Sequence, residues 1–247
     1  MFRKFALPIL HSIITAPLPV ERRSYSIAGM GESVVEKAIG ERVLAIPGIE
    51  LGYCARPGEV DLRVMGETAQ VERAELIIQS ALGASIFSAN KEELEQVLIR
   101  MLTERNETLA TAESCTGGLL AHRLTNVPGS SAAFLAGFVV YANEAKISAL
   151  GVDAALIKKH GAVSEEVAHA MAEGARERTE ATYALATTGI AGPSGGSKER
   201  PLGTIYIALA SRATETLVRH FNFLSDRETF KQLAAQAAFN LLRERLV

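Results

Sequence analysis

Cysteine is nearly absent: Cys54 and Cys115 are the only two in 247 residues. Two thiols give no disulfide framework, and no CxxC or Cys/His cluster offers a set of zinc ligands. A reducing, cytoplasmic setting is the expectation. Long apolar runs are missing as well, and no 18-residue stretch reads as a membrane span. The first 20 residues carry Arg3 and Lys4 and then a mildly apolar segment, interrupted by Pro8, Pro17 and Pro19 and holding His11 and Ser12. A secretory leader would be more continuously apolar, so residues 1–20 read as an N-terminal arm or remnant helix. Surplus charge is also lacking. With 26 basic and 28 acidic residues the net charge is −2, which gives no bulk attraction to polyanions and disfavours a general nucleic-acid coat protein. What remains, 48% hydrophobic and 22% charged residues, is the composition of an ordinary globular chain.

Two patterns divide that chain. Residues 21–90 read as a small α+β unit. It has a strand at 22–27, a break at Gly29 and Gly31, and a helix over 32–44 with Val35, Ala38, Ile39 and Val43 on one face. Strands at 49–56 and 59–65 follow, joined by the turn pair Pro57-Gly58. Val60, Leu62 and Val64 alternate with Asp61, Arg63 and Met65, as in a half-buried strand. A helix at 69–82 and a short strand at 85–87 complete it. Asn90 with Glu93 reads as an N-cap opening the next helix and marks the boundary. Over 91–247 strands alternate with helices: strands at 108–112, 134–141, 183–187, 204–210 and 216–223, helices at 115–125, 144–150, 154–159, 165–178 and 226–246. The last helix has Ser225 and Glu228 as a capping box, and Phe230, Leu233, Ala234, Ala237, Ala238, Leu241 and Leu242 on one face. The fold class is α/β: a mixed sheet covered by helices on both faces, preceded by the α+β unit.

Four stretches carry chemistry. TAESCTGG at 111–118 reads as a strand, a tight turn and a helix, with Ser114 at the strand's C-terminal end, where open α/β sheets place their sites. Gly117 and Gly118 would let a ligand approach the backbone; a helix-capping serine with packing glycines is the equal alternative. In YANEAK at 141–146 a strand ends at Tyr141 and a helix begins after Asn143, a good N-cap. Tyr141 and Lys146 flank that turn, and a desolvated lysine there can accept a proton; a core tyrosine and a solvated lysine is the plainer reading. The stretch TTGIAGPSGGS at 187–197 holds four glycines and suits an anion-binding concavity, though it is neither GxGxxG nor GxxxxGK(S/T). Arg227 at the start of the last helix can pair with a phosphate or lie on the surface. No Ser-His-Asp arrangement is visible among the five histidines.

Together these stretches, with VPGSSAAF at 127–134, HGAVSEEV at 160–167 and RPLGTIYIA at 200–208, come in one order and spacing. In that order and spacing the chain resembles the C-terminal domain of the CinA-type competence-damage proteins, the nicotinamide mononucleotide (NMN) deamidase family. Residues 21–88 are similar to the KH-like middle domain of its longer members. Those members begin with a molybdopterin-binding-like domain that has no counterpart here, and Met1–Leu10 resembles its exit helix; chemistry of that domain is not expected. The resemblance implies hydrolysis of NMN to nicotinic acid mononucleotide and ammonia, with Ser114 as nucleophile and Lys146 and Tyr141 activating it. The substrate-binding set is then Thr116, Gly117, Gly118, Asn143, Thr188, Gly189, Ala191, Gly192, Gly195, Gly196 and Arg227, with no metal and no cofactor.

The expected chemistry is attack by Ser114 with its proton passing to Lys146, directly or through Tyr141, and an oxyanion held by N–H groups at the start of the Cys115 helix. Cys115 is the rival nucleophile. The expected partners are the nucleotide and a second copy of the chain in a homodimer; membrane and nucleic acid are not. Two other functions fit the same sequence: a catalytically silent nucleotide-binding regulator, and RNA binding through the KH-like unit. Against the latter, Gly29-Met30-Gly31 lacks the GXXG spacing, and acidic residues offset the positive charge.

Overall fold

The computed structural model describes Phe5, Ile9 and residues 20–247, so the arm expected over 1–20 lies almost wholly outside the described residues. The chain divides into two compact units, one of residues up to 55 with 60–90, the other of 56–59 with 91–247.

The first unit runs β1 (Glu21–Ala28), α1 (Glu32–Leu44), β2 (Glu50–Arg56), β3 (Glu59–Gly66), α2 (Thr68–Leu82) and β4 (Ile86–Ser88). Its sheet has the order β2-β3-β1-β4, with β1 antiparallel to β4. The period-two pattern of β3 buries Val60, Leu62 and Val64 against Val35, Ile39 and Val43 of α1 and Val71, Ile78 and Leu82 of α2. This β-α-β-β-α-β order is a split βαβ arrangement, an α+β unit as the patterning implies.

The second unit runs α3 (Leu94–Glu104), β5 (Leu109–Glu113), α4 (Leu119–Thr125), β6 (Phe134–Val139), α5 (Asn143–Leu150), α6 (Ala154–His160), α7 (Glu165–Thr179), β7 (Tyr183–Gly189), β8 (Thr204–Ser211), β9 (Leu217–Asn222) and α8 (Arg227–Leu246). The sheet order is β6-β5-β7-β8-β9. Strands β6, β5 and β7 are parallel, whereas β7, β8 and β9 are antiparallel. The sheet is therefore mixed, as the consecutive late strands suggest. One face is lined by alanine, with Ala110, Ala112, Ala184, Ala186, Ala208 and Ala210 packed under Val167, Ala168, Met171, Ala172 and Ala175 of α7. Small side chains on both surfaces let α7 lie close to the sheet. The alternate residues Leu109, Leu185, Ile205, Ile207 and Leu209 are also buried and point to the opposite face. Helices α4 and α8 pack there. The strand order turns at β5, with α4 leaving on one face and α7 lying on the other, so the carboxyl ends of β5 and β7 form the crevice where open α/β sheets hold ligands.

Several helix starts differ from expectation. Lys91 has a φ of 60°, which turns the chain before α3, so Glu93 with Gln96, not Asn90, makes the capping box. Helix α8 is capped by Asp226, whose carboxylate accepts from the N–H groups of Glu228 and Thr229; Ser225 lies outside. Ala142, not Asn143, is the cap of α5, and Asn143 is its first residue. Among the described residues no helix is long and apolar enough to cross a membrane.

Candidate active site

The segment after β5 is a turn, not the opening of a helix. Gly117 and Gly118 have φ of 63° and 92°, left-handed values that glycine adopts without strain, and α4 begins only at Leu119. The expected helix over 115–125 is therefore four residues shorter at its start. The cause lies in Glu113, a residue to which no sequence motif assigns a role. Its side chain is 0% exposed. One carboxylate oxygen accepts from Thr116 Oγ1 at 2.7 Å and Leu120 N at 3.0 Å, the other from Ala121 N at 2.8 Å. Because the Thr116 hydroxyl proton is committed to Glu113, the Thr187 hydroxyl donates to Thr116 at 2.8 Å. The first N–H groups of α4 thus hold a carboxylate of this chain. These N–H groups are not available for an oxyanion, so the donors expected at the start of the Cys115 segment would have to come from the turn that precedes α4. Among the described residues the N–H groups of Thr116 and Gly118 have no acceptor, so the turn itself offers donors.

Ser114 is fixed at the head of this turn. Its N–H donates to Thr187 O at 3.0 Å, continuing the β5–β7 ladder, and Val140 N donates to Glu113 O at 2.8 Å on the other side. Lys146 reaches it from α5. The Lys146 ammonium donates to Ser114 Oγ at 3.1 Å, to Val140 O at 2.9 Å and to Tyr141 O at 3.2 Å. Lys146 is 1% exposed, and this burial holds its pKa below the ordinary lysine value because desolvation disfavours the charged form. The three acceptors have a further consequence. A neutral amine keeps two N–H bonds, which the two carbonyls can take, leaving its lone pair toward Ser114.

The structure separates the Tyr141 side chain from this pair. The ring is 62% exposed, and its hydroxyl accepts from Arg227 at 2.9 Å. Tyr141 serves Lys146 through its carbonyl, so the direct serine–lysine contact, not a tyrosine relay, is what the geometry presents. Arg227 also donates to Gly192 O at 2.9 Å, which brings the loop after β7 to the first turn of α8. Of the loop residues, Ala191 is buried, Gly192 is half-buried, and Gly195 and Gly196 are exposed. Gly189 ends β7 paired with Ile205. The Thr188 hydroxyl donates to Ala162 O at 2.7 Å, so it ties the loop before α7. Asn143 is exposed on α5. Cys115 is buried, and this burial pushes its thiol up to about 12, so it stays protonated at neutral pH. No group of His, Cys, Asp and Glu able to hold a metal occurs among the described residues.

A second basic residue stands beside the turn. The Nζ of Lys231, one turn beyond Arg227, lies 3.7 Å from where a Cβ on Gly117 would be. Its only sequence signal was the i, i+4 spacing from Arg227.

A mixed five-stranded sheet with a buried serine–lysine contact at the ends of its parallel strands defines an α/β protein of a particular kind. The chain belongs to the CinA family. The CinA C-terminal domain model matches residues 91–246, and the damage-inducible protein CinA KH domain model matches 22–88. A CinA-like protein of Akkermansia muciniphila is 39% identical over 238 residues, 96% of this chain and 57% of the relative. A CinA-like protein of Chloroherpeton thalassium is 41% identical over 238 residues, 92% of this chain and 57% of the relative. The chain thus spans little more than half the length of the curated relatives it matches. The crystal structure of the competence/damage inducible protein CihA from Agrobacterium tumefaciens is similar at 40% identity and a TM-score of 0.60, covering 64% of this chain and 97% of that one.

Proposed function

We propose that this chain is an amidohydrolase that converts NMN and water to nicotinic acid mononucleotide and ammonia. The observation that carries the reading is the 3.1 Å contact between Lys146 Nζ and Ser114 Oγ inside a buried site. A serine hydroxyl is a weak nucleophile until an adjacent base takes its proton. Here the two carbonyls of Val140 and Tyr141 hold the amine with its lone pair toward the hydroxyl. The substrate is inferred from the family resemblance and agrees with the surroundings: an arginine at the mouth, a glycine loop, and a turn with N–H groups to spare.

In the proposed course Ser114 Oγ attacks the carboxamide carbon as Lys146 accepts its proton. The oxyanion rests on N–H groups of the turn 115–118, each such donor contributing about 3–4 kcal/mol of transition-state stabilisation. Lys146 then protonates the leaving nitrogen, the C–N bond breaks, and ammonia departs. Water attacks the acyl-serine ester, giving one proton to Lys146, which returns it to Ser114 as the acid leaves and loses its remaining proton to solvent. The ribose phosphate lies toward the loop at 189–196 and Arg227.

Ammonia release from NMN, with nicotinic acid mononucleotide identified as product, tests the reading. Ser114→Ala retains the fold and the nucleotide affinity but loses turnover by at least a thousandfold. Wild-type turnover in that variant removes Ser114 from the role. A wild-type chain that binds NMN without releasing ammonia favours the regulatory alternative instead.

A further inference from the structure

The start of α8 carries a charge arrangement that stability does not explain. Helix N-termini are positive ends, where anions stabilise and cations do not. Yet Arg227 and Lys231 sit four residues apart in the first turns of α8, on one face. Arg227 spends its guanidinium on two neutral acceptors, Gly192 O and Tyr141 Oη. Lys231 is half-buried, and its ammonium has no hydrogen bond or ion pair among the described residues. Glu228, in the same first turn, is exposed and forms no ion pair with Lys231, and two other nearby acids are engaged elsewhere. Asp226 accepts from Glu228 N, Thr229 N and Thr229 Oγ1, and Glu113 lies buried on the N–H groups of α4. The Lys231 ammonium instead lies over the backbone of Gly117, 3.7 Å from the missing Cβ, three residues from the nucleophile.

We propose that Lys231 is a specificity-determining residue that, with Arg227, clamps the phosphomonoester of the substrate, so that the site selects a nucleotide over the matching nucleoside. The inference rests on the proposed amidase reading for its substrate. A dianionic phosphate offers three acceptor oxygens, enough to engage an ammonium and a guanidinium on neighbouring turns at once. The absent side chain at Gly117 leaves the ammonium room to stand over the turn, while the carboxamide end reaches Ser114.

The test uses the full chain, with Lys231→Met and Lys231→Arg, and two ligands that share the carboxamide and differ by the phosphate: NMN and nicotinamide riboside. For Lys231→Met we expect KM for NMN to rise about ten- to a hundredfold, the range of a lost charge-assisted contact, with kcat within threefold of wild type. KM for the riboside stays unchanged, and Lys231→Arg recovers most of the affinity. An unchanged KM for NMN, an equal loss with both ligands, or a fall in kcat alone overturns the clamp. Calorimetric titration of the same ligands separates this from the amidase reading. If wild type releases no ammonia, Lys231→Met must still weaken NMN binding selectively; equal affinities in the two proteins refute the clamp by themselves.

Discussion

Glu113→Gln offers a test that the buried carboxylate builds the catalytic turn. Two carboxylate oxygens accept three donors: Thr116 Oγ1 and Leu120 N on one, Ala121 N on the other. A glutamine has one carbonyl oxygen. Placed to keep Thr116 and Leu120, it turns its NH2 toward the Ala121 N–H, donor against donor. One charge-assisted bond, about 1.5–3 kcal/mol, is lost, and a buried N–H is left unsatisfied, a further ~1–3 kcal/mol. Removing a buried charge offsets part of this, so the net cost is about 3 kcal/mol. At roughly 2–4 °C per kcal/mol for a unit of this size, the melting temperature falls by about 6–12 °C. Because the same bonds hold Thr116 and the turn that carries Ser114, kcat falls at least tenfold, while KM for NMN changes by less. Differential scanning calorimetry and an ammonia-release assay read both quantities. A glutamine variant that melts within 1 °C of wild type and turns over at the wild-type rate refutes the reasoning.

Four further outcomes are expected. The kcat/KM profile rises with pH along a limb set by Lys146, whose pKa burial holds below the ordinary 10.5; Lys146→Met lowers kcat by at least a hundredfold. In the window between the folded pKa of Lys146 and 10.5 the unfolded chain binds more protons than the folded one, so stability rises with pH there, and denaturant titrations of the Met variant lose that slope. Cys115→Ala retains at least half of the wild-type turnover, and iodoacetamide at pH 8 leaves Cys115 unlabelled in the native protein, as a buried thiol pushed up to about 12 requires. Gly174→Ala in α7 puts a methyl onto the carbonyl of Leu150, at the end of α5. It costs about 1–3 kcal/mol by thermal melt and lowers kcat, because α5 must shift with Lys146 on it.

Much of the second unit was legible from period alone. The alternation of strands with helical faces gave the α/β class, and the late consecutive strands gave the mixed sheet. Helix starts were the weak point, because caps compete locally: Asn90, Ser225 and Asn143 are all good capping residues, and Glu93, Asp226 and Ala142 hold those places. The pairing of Ser114 with Lys146 was legible through the family resemblance, since the local pattern favours a solvated lysine; their 32-residue separation is bridged by the parallel β5–β6 pair. The side chain of Tyr141 was not, since a residue at a strand end faces either way until the register is known. Glu113 was missed because a glutamate beside a glycine turn reads as solvated; only the fold shows that its strand position aims it beneath α4. Lys231 escaped for a similar reason, as one of many helix lysines.

The acceptors that hold Lys146 come from its own junction: Val140 and Tyr141 lie six and five residues before it. In the proposed chemistry the proton is handled within one short loop of backbone, and the outward Tyr141 hydroxyl joins that loop to Arg227. Because both Lys146 acceptors are backbone carbonyls, substitutions at 189–196 or at 231 leave them in place.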